Sequence, residues 1–238
     1  MAKRVRGMPI TRERKQYIIQ SNILPAGLYG AEVADVNVTA LETLRSAVAS
    51  AIGSASAKRS VDLTFSCTSA AKDIDPLTHI LYNRVAEMRR IMAKHEGMED
   101  IVKQIIQIYI DKDIYNSSNI KKDDVKLPSL WRANAQEEED HQTDATSQGP
   151  IGKLLVHLWD CGCKVDQSFN IHEPGEPTIN CWTLPWQHLK TAIFSIAVRR
   201  RVQSINAKRT FLGEVEEIDE AVLKNTINKL GIHCLLYT

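Results

Sequence analysis

The chain lacks the short motifs that announce common chemistries. There is no P-loop, no G-x-G-x-x-G and no G-x-S-x-G elbow, and no complete set of catalytic residues can be assembled from its 238 positions. That leaves no enzyme activity to assign to the polypeptide as it stands, and no catalytic residue. No run approaches the roughly 18 consecutive apolar residues of a membrane helix. Met1 to Gly7 is basic, but no apolar h-region follows it. The expectation is an intracellular protein, cytoplasmic or nuclear, with no membrane partner. Its five cysteines, Cys67, Cys161, Cys163, Cys181 and Cys234, are an odd number and are then expected to be free thiols. Strong net charge is missing too: at +1 the chain is no polycation.

What is there is charge unevenly placed. Residues 1–15 hold Lys3, Arg4, Arg6, Arg12, Arg14 and Lys15 against the single acid Glu13. Residues 190–209 hold Lys190, Arg199, Arg200, Arg201, Lys208 and Arg209 and no acid. Phosphate contacts need such clusters rather than overall basicity, so Arg12, Arg14, Lys15, Lys190, Arg199, Arg200, Arg201, Lys208 and Arg209 form the candidate nucleic-acid-binding set. Three consecutive arginines span a wide arc of a helix and cannot all face a core. The competing reading is a solvated helix face paired with the acids Glu214 to Glu220.

Hydrophobic periodicity predicts a mainly α protein: a helical bundle, then a small α+β region with one β-hairpin and a long basic helix. Residues 1–10 read as a flexible start, and a helical pattern begins at Thr11. Tyr17, Ser21, Leu24 and Leu28 fall on one face of it, with a kink or break expected at Pro25. Thr39 and Glu42 make a capping box ahead of the stripe Leu41, Leu44, Val48, Ala51 and Ile52. Val61 to Cys67 reads as a short strand or extended link. Asp75-Pro76 is a strong helix start, with Leu81, Val85, Met88 and Met92 as its buried stripe. The next helix, from about Met98 to Asp111, has Ile101, Ile105 and Ile108 on one face and is expected to be well buried.

The acidic stretch around Glu137 to Asp140 reads as a linker, giving a helical domain over 1–130, a linker over 131–148 and a small α+β domain over 149–238. In that last part Gly149-Pro150 opens a short helix. Lys164 to Ile171 and Pro177 to Thr183 are expected to pair around Pro174-Gly175, and Pro185-Trp186 starts the longest helix. Cys161, Cys163, His172 and Cys181, with His157 nearby, are thiol and imidazole ligands of the kind zinc prefers. Their C-x-C spacing is unlike the usual knuckle, and ordinary buried thiols are the favoured reading, so no metal or other cofactor is assigned.

Ile23-Leu24-Pro25-x-x-Leu28-Tyr29-Gly30-x-Glu32 resembles the LPxxLYGxE helix that follows the catalytic palm in reverse transcriptases of non-LTR, LINE-like retrotransposons. Looser likeness to the downstream region of dinoflagellate elements extends over Arg59 to Leu63, Asp75-Pro76, Gly149 to Gly152 and Pro185 to Gln187. The resemblance implies a thumb, the region that holds the template–primer duplex. It supplies no catalytic residue, because the palm's Y/F-x-D-D motif is absent. Its implication is a non-catalytic carboxy-terminal fragment that binds RNA or an RNA–DNA duplex and lacks a palm domain it once adjoined. The alternative is a helical protein–protein interaction module that contacts no nucleic acid.

Overall fold

The computed structural model describes residues 1–53, 60–66, 73–111 and 149–208. The expected linker, Cys67, Cys234, Arg209 and the acids at 214–220 lie outside them. Among the described residues the fold is mainly helical, with one small antiparallel sheet and a long helix at the end, as the periodicity predicts. Two compact units interleave along the chain. Unit 1 is formed by Met1–Tyr29, Thr39–His79 and the chain from Phe194, and unit 2 by Gly30–Val38 and Ile80–Ile193. The contacts therefore do not divide at the expected 1–130 and 149–238, because two helices, residues 76–94 and 186–208, contribute to both units.

Unit 1 opens with helix α1, Ala2–Gly7, which places Ala2 and Val5 in the core, so the expected flexible start is in fact helical. Helix α2, Arg12–Ile18, begins at Thr11, whose hydroxyl accepts from the Arg14 amide. It runs into a π-helical turn over Ile19–Ile23 and then a last short turn, α3, Leu24–Gly27. The wide turn answers the proline. Pro25 has no N–H to give, and its ring would press on the carbonyl four residues back, so the chain widens and the Leu24 amide bonds to the Ile19 carbonyl instead. Widening also shifts the helical phase. Ile19, Ile23, Leu24 and Leu28 are buried, whereas Tyr17 and Ser21, expected on the inner face, are exposed.

Helix α4, Val38–Ile52, starts before the Thr39 expected to cap it, and it buries Leu41, Val48, Ala51 and Ile52 as predicted. Val61–Ser66 is helix α5, neither the extended link nor the short strand expected there. Ser60 caps it by accepting from the Leu63 amide, and Phe65 is fully buried. Helix α6, Pro76–Lys94, starts where Asp75-Pro76 predicts, with Asp75 accepting from the Leu77 amide.

Unit 2 contains most of α6, then α7 (Met98–Asp111) and α8 (Pro150–Asp160). Helix α7, expected to be well buried because its faces are apolar on several sides, is buried on one side only. Val102, Ile106 and Tyr109 are buried, and Ile101 and Ile108 are 47% and 36% exposed. The sheet has three strands, β1 (Lys164–Val165), β2 (Asn170–His172) and β3 (Ile179–Asn180), in sequential antiparallel order. Val165 faces Ile171, and Ile171 faces Ile179. The expected single strand 164–171 folds back on itself because Asp166 accepts from the Ser168 and Asn170 amides, with Phe169 at φ 62°. The second turn is the one Pro174-Gly175 predicts: the Glu176 amide bonds to the Glu173 carbonyl, and Gly175 takes φ 82°. Helix α9, Trp186–Lys208, completes the described chain. Among the described residues no helix is long and apolar enough to cross a membrane.

Candidate nucleic-acid interface

The cationic candidates differ in how far they are presented to solvent. On α2, Arg14 is exposed, Arg12 is half-buried, and Lys15 donates to the Arg6 carbonyl at 2.9 Å. Lys3, Arg4 and Arg6 on α1 are exposed as well. Arg199 and Arg200 are half-buried on α9, and Lys208 ends that helix.

Arg201 has to be removed from the set. Its side chain is 4% exposed, and it donates to Asp73 at 2.6 and 3.2 Å and to Asp75 at 3.2 Å. One member of the triplet thus points inward, and it is neutralised by carboxylates more than 120 positions away. Arg45 joins the same cluster, donating to both Asp75 oxygens at 2.7 and 2.8 Å and to Asp62 at 2.9 Å. Both guanidiniums also lie over the Phe65 ring, at 5.6 and 5.7 Å. Burial penalises each charge here, but the partners prevail. Asp75 is held below the usual carboxylate range by Arg45 and Arg201, and both arginines are raised above theirs. Asp73 further accepts from the Thr78 hydroxyl and the Asp75 amide. The cluster ties α4, α5, α9 and the start of α6 together, and it holds Arg201 away from the surface.

Gly30 shows why the LYG segment has its composition. It takes φ 80°, a conformation that a side chain resists, and its carbonyl accepts from the Val33 and Ala34 amides. In unit 2 the residues that follow are held by two cations. Arg84 donates to the carbonyls of Ala31 at 3.3 Å and Lys153 at 3.2 Å, while Lys153 reaches the Val33 carbonyl and Asp35. Tyr29 is 92% exposed.

The thiol and imidazole residues do not converge. Among the described residues no three His, Cys, Asp or Glu side chains are grouped to hold a metal ion. Cys161, Cys163 and Cys181 are buried and form no disulfide among the described residues. Cys181 donates to the Phe169 carbonyl at 3.0 Å, and burial pushes its thiol up to about 12. His172 is exposed and bonds to Asp166. His157 is buried, with Nδ1 lacking a partner, and burial and then Arg84 drive its pKa down to about 3.

One basic and aromatic feature of unit 2 went unrecognised in the sequence. Ala86, Arg89, Arg90 and Ala93 of α6 line a cleft of about 410 Å³ together with Trp182 and Trp186. The Arg89 guanidinium lies 4.4 Å from the Trp186 ring centroid and donates to the Leu184 carbonyl. Lys190, one turn on from Trp186, lies 5.9 Å from the Tyr82 ring. No single segment signals the cleft, because its arginines and tryptophans lie more than 90 positions apart; only the fold joins them.

These features define a mainly helical protein of two interleaved units with cationic surface segments. Comparison with protein-family models, curated proteins and solved structures finds no match.

Proposed function

We propose that the protein binds nucleic acid without acting on it, as a thumb-like fragment of a reverse-transcriptase-like protein. The observation that carries this reading is the exposure of Lys3, Arg4, Arg6 and Arg14 on two successive short helices in which Glu13 is the one acid. Such a segment neutralises backbone phosphates irrespective of base sequence. The resemblance of residues 23–32 to the thumb-side helix supports the choice of an RNA–DNA duplex as ligand. The test is binding of the full chain to such a duplex across a salt series. The reading requires binding at low salt that weakens steadily as salt rises. Absence of low-salt binding, or an affinity indifferent to salt, overturns it. An in-frame Y/F-x-D-D upstream of Met1 would independently support the fragment origin.

A second reading, a protein–protein interaction module, is favoured by the exposed Ile101 and Ile108 on α7. A salt-resistant protein complex lost on Ile101→Glu, with no duplex binding, would select it.

A further inference from the structure

We propose that the tryptophan–arginine cleft of unit 2 is a second site, separate from the cationic segment of unit 1, that takes an unpaired base of single-stranded nucleic acid together with its phosphate. The ligand class rests on the nucleic-acid reading above, and the site itself rests on geometry.

Tyr82, Ala86, Arg89, Arg90 and Ala93 fall at i, i+4, i+7, i+8 and i+11 and so share one side of α6. Trp186 and Lys190, at i and i+4, share one side of the opening turns of α9. The two sides meet in two cation–ring contacts, Arg89 with Trp186 and Lys190 with Tyr82. The alanines keep the space between them open, and its volume of about 410 Å³ lies within the roughly 300–1,000 Å³ of small-ligand sites.

The rings are already fixed in place. Arg89 is held by the Leu184 carbonyl while it stacks on Trp186, and the Trp182 backbone amide is held by Asn180, with its ring against Phe169. Yet Trp186 remains 46% exposed, on a helix whose next turns bury Leu189 and Ile193. A large indole left open beside two guanidiniums is a surface that a planar anionic group would cover.

The chemistry separates the candidate ligands. Two guanidiniums repel the cationic groups that aromatic cages otherwise bind. A purely apolar ligand would have no use for them. A base offers a flat face to indole and guanidinium, and its phosphate offers an acceptor to Arg90, whose side chain is 66% exposed and pairs only with neighbouring Glu87 among the ion pairs of the described residues. Paired bases inside a duplex present no free face, so the occupant is a single strand.

The test uses the full chain, fluorescein-labelled oligothymidylate and oligouridylate, and an RNA–DNA duplex of equal length, read by anisotropy and by quenching of tryptophan emission. Single strands are expected to bind and to quench. Trp186→Ala should weaken single-strand binding about 5- to 100-fold, the range for loss of one stacking platform, and should leave duplex binding within about twofold. Arg90→Glu, at an exposed position where folding is not at stake, should weaken single-strand binding at least about fivefold. If the duplex binds but single strands do not, or if both variants hold single strands as the parent does, the cleft assignment fails and the duplex reading stands. If neither nucleic acid binds, both fail.

Discussion

The two units bury arginine in different ways. In unit 1, Arg45 donates to Asp62 and Asp75 and Arg201 to Asp73 and Asp75, so each guanidinium meets carboxylates at hydrogen-bonding distance. In unit 2, Arg84 is just as inaccessible but reaches only two backbone carbonyls and no carboxylate at hydrogen-bonding distance among the described residues. The protonation equilibria follow. Arg45 and Arg201 hold their protons more tightly than an exposed arginine, whereas burial pulls Arg84 down to about 10, with Asp35 opposing weakly. A paired cluster depends on all its members being present. An unpaired buried cation already carries its desolvation cost, so its loss should be tolerated better.

The largest expected effect is therefore in unit 1. Asp75→Asn keeps an oxygen for the Leu77 amide, so the helix cap survives while the charge is lost. Removing one partner of a buried ion pair costs about 3–5 kcal/mol, and chemical denaturation should register a loss of that order. Arg201→Met should cost a similar amount, since it strips Asp73 of its cation. The double variant should lose less than the sum of the two, because the residues act in one network. Additive losses would mean that the cluster is a set of independent contacts, and the contrast with Arg84 would lose its basis.

The second effect is a difference in pH window. His157 is neutral in the folded chain because burial and Arg84 hold its pKa near 3, against about 6.5 when unfolded. Below about 6.5 the unfolded chain takes up a proton that the folded chain refuses, so stability falls with pH through this range and on toward 3. Between pH 7 and pH 5 the loss attributable to this residue is about 2 kcal/mol. Asp75 works lower down. Its carboxylate is stabilised by folding, and that contribution is lost only as pH falls below the ordinary carboxylate value of about 3.9. Of these two groups, His157 alone responds above pH 5. His157→Gln should flatten the stability profile between pH 7 and pH 5 relative to the parent, whatever it does to stability at pH 7.

How much of this contrast is legible without the fold can be judged residue by residue. Asp75-Pro76 marks the start of α6 because capping is local chemistry, written within four residues. Nothing local says that the same aspartate will meet arginines 30 and 126 positions away. The Arg199–Arg201 run reads as surface because isolated charges are costly to bury; the inward turn of Arg201 makes sense only once Asp73 and Asp75 stand opposite it. Helix α7 carries isoleucines on several sides, so periodicity alone could not choose its inner face. Pro25 announces a disturbed helix, but not that a π turn will absorb it and rotate Tyr17 outward. Local signals located the longer helices and the second turn of the sheet, but not the short helices α1 and α5. What else escaped was set by partners remote in sequence: the buried ion cluster and the tryptophan cleft.

The third effect is smaller and sharpens the contrast from the other side. Arg84→Met keeps the aliphatic stem and removes an unpaired buried charge. It also leaves the Ala31 and Lys153 carbonyls without that donor, so the two changes oppose each other. The net change in stability should stay below about 2 kcal/mol, well under that of Arg201→Met. Loss of the neighbouring positive charge should also raise the His157 pKa, which an NMR titration of its ring protons would follow. A destabilisation equal to that of Arg201→Met would mean that backbone carbonyls satisfy a buried guanidinium as fully as carboxylates do.

The smallest effect on stability is expected at an arginine buried by neither unit. The Arg14 side chain is exposed on the first turn of α2, and only its backbone amide takes part in the Thr11 cap. Arg14→Ala should therefore change stability by no more than about 0.5 kcal/mol. If the cationic segment does contact phosphates, the same variant should weaken duplex binding at low salt and reduce the salt dependence of that binding by about one released counterion. Arg201→Met makes the opposite pairing, a large loss of stability and no direct loss of a phosphate contact. Measuring stability and duplex affinity on both variants thus separates arginines that build the protein from arginines that serve it. An Arg14→Ala protein with unchanged affinity and unchanged salt slope would place this residue in neither group.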